Sequence, residues 1–267
     1  MRWWVGEVTV VALLGSAALA APLDKRTASP RLPETLEQSL QAHEALARRA
    51  KGSPDDLCKL VDDSSTLVRP LEMALVDLTR KGSAAREQRL WDQLDRRTTG
   101  MYFVMSDVFS RSGVDYVELA RLAGADDASL LRAMAELDGV SQGFENVPAW
   151  QEPMTDYGGC HLPGKATKTL TALARSWTAA SPCMRSALTK PLEDLLEHMA
   201  EDGNFCQEDR AQRINAARAN ATQMRKLKGT RGPSLAGTLV KRAEASDNRP
   251  PRPPGGRLSE EIGRAHV

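Results

Sequence analysis

The 267-residue chain predicts an all-α fold, a single bundle of about seven or eight helices stapled by two disulfides. Three observations predict it. Aromatic residues are only 4% of the chain while Ala, Leu and Arg dominate, a usage that suits helices and starves sheets of their preferred residues. Apolar residues recur at steps of three and four through most of its length. No segment alternates with period two for long enough to predict a strand.

The elements follow in order. Leu36, Leu40 and Ala47 line one helical face before Gly52, and Ser53-Pro54-Asp55-Asp56 is a start signal for a helix carrying Cys58. Leu67, Leu71 and Leu78 continue at helical spacing up to Gly82. Ser83 is then expected to cap the longest helix, in which Leu90, Leu94, Met101, Met105 and Val108 keep the stripe going to about Ser110. A short helix is predicted over Val114 to Leu122, and Asp126 or Asp127 opens one that buries Leu130, Met134 and Leu137. Gly139 to Gly164 reads as a long irregular segment, a length that loops reach when they are functional or pinned down. Leu170, Leu173 and Trp177 mark the next helix; Leu188, Leu192, Leu195 or Leu196, and Met199 another; Ile214, Ala217, Ala221 and Met224 the last. Leu67 to Glu72 resembles Leu188 to Glu193, and Pro70 and Pro191 predict a kink or restart in each helix.

The ends read differently. Arg2, the apolar run Val8 to Leu19 and Ala18-Leu19-Ala20 predict a secretory signal peptide over residues 1–20, cleaved after Ala20. That run is shorter than the roughly 20 residues a bilayer span needs, so no integral membrane span is expected in the mature chain. Residues 21–33 read as a flexible linker, 34–228 as the disulfide-stapled helical domain, and 229–260 as a disordered basic Pro/Gly-rich tail. Glu261 to Val267 back-translates as GAG ATC GGA AGA GCA CAC GTC before a TGA stop, the string of a common sequencing adapter. Residues 261–267 are therefore read as adapter translation.

Export places Cys58, Cys160, Cys183 and Cys206 in an oxidising compartment, where four cysteines predict disulfides rather than metal ligands or catalytic thiols. Cys160, Cys183 and Cys206 are separated in turn by helices of roughly 25 to 30 Å, and bridged Cα atoms must approach within about 7 Å, so sequential pairs are excluded unless Pro191 turns the chain back sharply. An antiparallel hairpin returns Cys206 to the level of Cys160. The expected bridges are Cys160–Cys206 and Cys58–Cys183.

Net charge near zero conceals an asymmetry. Residues 1–206 hold 23 Lys and Arg against 29 Asp and Glu, while residues 207–258 hold 12 against 4, so an acidic body carries a basic C-terminal arm. Arg210, Arg213, Arg218, Arg225, Lys226, Lys228 and Arg231 are the candidate contacts for an anionic polymer, an envelope surface or a protein partner. The arm carries no interleaved aromatics, which argues against base stacking.

Catalytic patterns are weaker. Gly139-Val140-Ser141-Gln142-Gly143 matches G-x-S-x-G, with Asp156 and His161 following in the chain order of a hydrolase triad. A nucleophile elbow needs a strand before the serine and a helix after it, whereas a predicted helix precedes Gly139, so a helix C-cap and turn is the reading favoured there. Asp194 and His198 stand one turn apart on a helix, but no second histidine completes a zinc pattern. Asn220-Ala221-Thr222 fits a glycosylation acceptor inside a predicted helix. No metal and no cofactor are expected. The leading expectation is an extracytoplasmic, non-enzymatic helical protein, secreted or periplasmic, acting as a binding or structural module. Its alternative is a secreted hydrolase using the Ser141 to His161 region.

Overall fold

The computed structural model describes residues 32–79, 94, 96–105, 110–139, 148–152, 160–202, 205–206 and 209–246. In chain order its elements are α1 (Glu34–Ala50), α2 (Pro54–Thr79), β1 (Met101–Met105), β2 (Ser110–Val114), α3 (Tyr116–Ala120), α4 (Ala125–Asp138), β3 (Gln151–Glu152), β4 (Cys160–His161), α5 (Pro163–Ala179), α6 (Pro182–Glu201), α7 (Arg210–Met224) and α8 (Gly232–Ala245). The fold is mostly helical. Residues 1–31, 80–93 and 247–267, and with them the signal peptide, most of the linker, the cap at Ser83 and the adapter-like end, lie outside the described residues.

Helix starts follow local chemistry. Ser53 Oγ accepts the Asp56 N–H ahead of α2, Ser181 Oγ accepts the Met184 N–H ahead of α6, and Asp209 accepts from Ala211 and Gln212 ahead of α7. Pro163 and Pro182 sit in first turns, where a missing N–H costs nothing. Glu34 and Glu37 at the start of α1, with Arg48 and Arg49 at its end, complement the helix dipole.

The helices close on one another: α1 packs on α2 and α2 on α6, while α4 packs on α5, α5 on α7, α7 on α8 and α8 back on α6. Leu60, Leu71, Leu130, Leu173, Leu188 and Leu196 are among the fully buried side chains this leaves at the centre. A disulfide between Cys58 on α2 and Cys183 on α6, with Cα atoms 5.9 Å apart, joins the first pair to the rest across 125 residues. Restricting so long a loop is worth about 2 to 4 kcal/mol. Cys206 is not a free thiol, and the Cys160 side chain lies outside the described residues.

Four expectations are corrected. Residues 101–105 do not continue a helix to Ser110: β1 and β2 pair antiparallel, with Met101 opposite Val114 and Met105 opposite Ser110. Gly100, at φ 82°, turns the chain into β1, donating its N–H to Glu118 Oε2 at 2.6 Å and accepting from Asp115 N–H at 2.8 Å. A side chain there would be strained by the backbone and would lie 2.7 Å from Leu119 Cδ2. Second, part of the long irregular segment pairs as a small sheet, Gln151 opposite His161 and Glu152 opposite Cys160. Third, α2 and α6 run through Pro70 and Pro191 without restarting. Fourth, the stretch expected to be disordered from residue 229 contains α8, so the folded unit extends past residue 228 to about Ser246. There Leu235, Leu239 and Ala243 form a buried helical stripe behind a first-turn proline.

Candidate functional site

Helices α5, α6 and the end of α7 frame a groove of about 1210 Å³. Its walls are held at both ends. Asp127 of α4 accepts from Ser181 N–H at 2.8 Å and from Ser181 Oγ–H at 2.9 Å, which fixes the start of α6. Asn220 donates to the Pro163 carbonyl and accepts from Thr167 Oγ1, both at 2.7 Å, pinning α7 across the start of α5. Trp177 Nε1–H donates to the Lys228 carbonyl at 3.1 Å, so the turn after α7 is held against α5.

Five cations line that groove: Arg175 from α5, Arg185 from α6, and Arg225, Lys226 and Lys228 from the end of α7 and its turn. Among the described residues no carboxylate lines it. Among the described residues none of the five is in an ion pair. Cations gathered without counter-charge create a positive field that favours anions, and guanidinium forks can grip carboxylate, sulfate or phosphate through paired N–H donors.

The remaining residues of the basic arm are spent on structure. Arg231 makes a forked pair with Glu197 at 2.9 and 3.0 Å and donates its backbone N–H to Glu193, which holds the Glu197 carboxyl below its ordinary range. Arg218 pairs with Glu244 at 3.0 Å, and Arg210 donates to the Glu244 carbonyl. Arg213 is buried, donates to the Ala243 and Ser246 carbonyls, and lies over the Phe205 ring at 5.5 Å. These four dock α7 and α8, so of the sequence-predicted arm only Arg225, Lys226 and Lys228 reach the groove. Arg175 and Arg185 were missed by sequence reasoning. Their signal is the exposed face of helices otherwise read only for their apolar stripes.

Of the hydrolase candidates only His161 lies among the described residues. Ser141 and Asp156 lie outside them, and Gly139, at φ 83°, closes α4 as a left-handed C-cap. His161 is fully buried and stacked on Phe205 at 4.8 Å, and neither ring nitrogen has a hydrogen-bond partner there. Burial pushes its pKa down to about 4, against the pull of Asp202. Asp194 pairs with Lys190, and His198 packs against Trp150 with ring centres 5.7 Å apart. No group of three or more His, Cys, Asp or Glu converges to hold a metal ion among the described residues. Asn220 is fully buried with its amide doubly bonded, so the glycosylation signal is inaccessible in the folded chain.

Two further features have no sequence signal. A smaller cavity of about 370 Å³ lies between α3, α4 and α6, lined by Tyr116, Asp138, Trp150, Asp194 and His198 with two prolines nearby. Burial raises the Tyr116 hydroxyl pKa and keeps it protonated, with Asp138, Tyr102 and Asp194 adding to the effect. His43 of α1 is wholly buried, with Nδ1 2.6 Å from Asp63 Oδ2 and Nε2 2.9 Å from the Thr99 carbonyl. The two contacts clamp α1, α2 and the approach to the hairpin together.

No protein-family model, curated protein or solved structure matches this chain.

Proposed function

We propose that this is an exported, non-enzymatic helical protein that acts as a binding module and holds an anionic partner in the α5–α6–α7 groove. The observation that carries the reading is the groove itself: five cations, no lining carboxylate, and none of the five committed to an ion pair among the described residues. Uncompensated charge of this kind is costly to gather, because like charges repel, and a bound anion relieves that repulsion.

Export is supported by the residue 1–20 pattern and by cysteine usage: disulfides persist in oxidising compartments, and Cys58 and Cys183 are bonded. We propose that Cys206 bonds Cys160. Support comes from the backbone, in which Cys206 N–H donates to the carbonyl of His161, the residue next to Cys160, at 3.1 Å. Among the described residues no helix is long and apolar enough to cross a membrane.

The groove is tested by retention on an immobilised sulfated polymer across a salt series. Binding is expected to weaken steeply with salt and to be abolished by Arg175→Gln with Arg185→Gln, while Arg210→Gln leaves it intact. Retention that survives the double substitution overturns the reading. For export, mass analysis of the protein recovered from the extracytoplasmic fraction is expected to give a chain beginning at Ala21; a full-length chain held in the cytosol would overturn it. Non-reducing peptide mapping is expected to recover Cys160 linked to Cys206.

A further inference from the structure

We infer that the groove takes an acidic polysaccharide, a sugar polymer in which carboxylate or sulfate groups alternate with free hydroxyls; this rests on the anion-binding reading above and names its ligand class. The discriminating residues are three threonines. Thr171, Thr178 and Thr189 line the groove beside the cations, and each hydroxyl already donates its one hydrogen to its own helix. The acceptors are the carbonyls of Thr167 at 2.7 Å, Ala174 at 3.3 Å and Arg185 at 2.7 Å. A hydroxyl that has spent its hydrogen can only accept. The groove therefore offers two chemistries side by side: cationic donors and neutral acceptors.

Their order along each helix is regular. Thr171, Arg175 and Thr178 follow one another on a single face of α5, and Arg185 and Thr189 on a single face of α6, so acceptor and cation alternate about every helical turn, roughly 5.4 Å. A ligand that matches this must carry anions for the guanidinium groups and hydrogen-bond donors for the threonine oxygens, repeated on the scale of a sugar ring. Inorganic polyphosphate supplies the anions but has no donors near neutral pH, and would set acceptor against acceptor. A neutral polysaccharide supplies the donors and leaves five cations unpaired. A single-stranded nucleic acid needs aromatic faces to stack on. Trp177, the one aromatic residue lining the groove among the described residues, is buried, with its N–H held by the Lys228 carbonyl. The groove's volume, above the usual 300 to 1,000 Å³ or so of a small-molecule pocket, suits several sugar units rather than one.

The test compares polygalacturonate, inorganic polyphosphate of matched charge and neutral dextran by calorimetry at two salt concentrations. The intact protein is expected to bind polygalacturonate about tenfold more tightly than polyphosphate, the scale of a few neutral hydrogen bonds, and dextran not measurably. Thr171→Val, Thr178→Val and Thr189→Val together are expected to abolish the preference while leaving polyphosphate binding in place. Arg175→Gln with Arg185→Gln is expected to weaken both polymers alike. Equal or tighter binding of polyphosphate, or a preference that survives the triple valine variant, overturns the polysaccharide inference and leaves the anion groove standing. Failure of both charged polymers to bind overturns the two together. Circular dichroism of each variant separates loss of binding from loss of fold.

Discussion

The two flanks of α6 treat charge in opposite ways. On one flank Pro182, Arg185, Ser186 and Thr189 face the groove, where cations stand without carboxylates. On the other, Pro191, Asp194, Leu195 and His198 face the 370 Å³ cavity, where a fully buried Trp150 and a nearly buried Tyr116 lie among Asp138, Asp194 and His198. The step from residue 189 to 191 turns about 200° around the helix, so the two sets point apart. Aromatic rings line one flank, and Lys190 neutralises Asp194 at its edge. The other is wider, and its cations are left unneutralised among the described residues. Burial of apolar surface stabilises a fold, whereas uncompensated surface charge does not, so the difference separates what holds this protein together from what it offers to a partner.

The strongest way to break that comparison is Trp150→Ala. Removing a fully buried indole from the closed flank is expected to cost about 3 to 5 kcal/mol, measured by denaturant unfolding, because the cavity left behind cannot fully collapse. Its Nε1–H has no hydrogen-bond partner among the described residues, so the loss should be one of packing alone. Polyanion retention per folded molecule should be unchanged. If retention falls with stability intact, the closed flank belongs to the binding surface and the comparison fails.

A smaller effect sharpens it. His161, next to Cys160 on the strand that abuts Phe205, is held uncharged by burial, with its pKa near 4 instead of 6.5. The unfolded chain therefore takes up a proton near pH 6.5 that the folded chain refuses until about pH 4. Stability contributed by the neutral ring is complete above pH 6.5 and is lost progressively as pH falls to about 4, by up to roughly 3 kcal/mol. His161→Phe keeps an aromatic ring against Phe205 and removes the proton, so its unfolding free energy should be flatter over that interval. An equally steep fall in the variant would assign the acid sensitivity to other groups.

Much of this architecture was legible from the chain, and the failures have physical causes. The start of α2, the stripe of α4 and the bridge from Cys58 to Cys183 all rest on local signals or on helix length, which survive without knowledge of the fold. The hairpin was not legible because Met101 and Met105 share a face whether the chain is helical, four apart in a turn, or extended, with Phe103 between them. Helix α8 was hidden by its setting: Gly229, Gly232 and Pro233 read as a break, although a proline in the first turn also starts a helix. The groove was half legible. Arg225, Lys226 and Lys228 announce themselves as a run, but Arg175 and Arg185 become their neighbours only when α5, α6 and α7 pack. Charge clustering read along a chain cannot see convergence in space, and it also counted Arg213, which the fold buries.

The smallest expected change in stability is therefore the most informative about function. Arg175 and Arg185 make no ion pair among the described residues, and Arg185 reaches only the carbonyls of Trp177 and Thr178, at 3.4 and 3.5 Å. Replacing both with Gln removes two repelling charges and no strong contact. Unfolding free energy should stay within about 0.5 kcal/mol of the parent, or rise slightly at low salt as the repulsion is relieved. Charge-dependent retention should nevertheless collapse, with a shallower dependence on salt. A marked loss of stability would mean that the two arginines support the fold through contacts as Arg213 does. The groove would then lose its claim to be the open flank of α6.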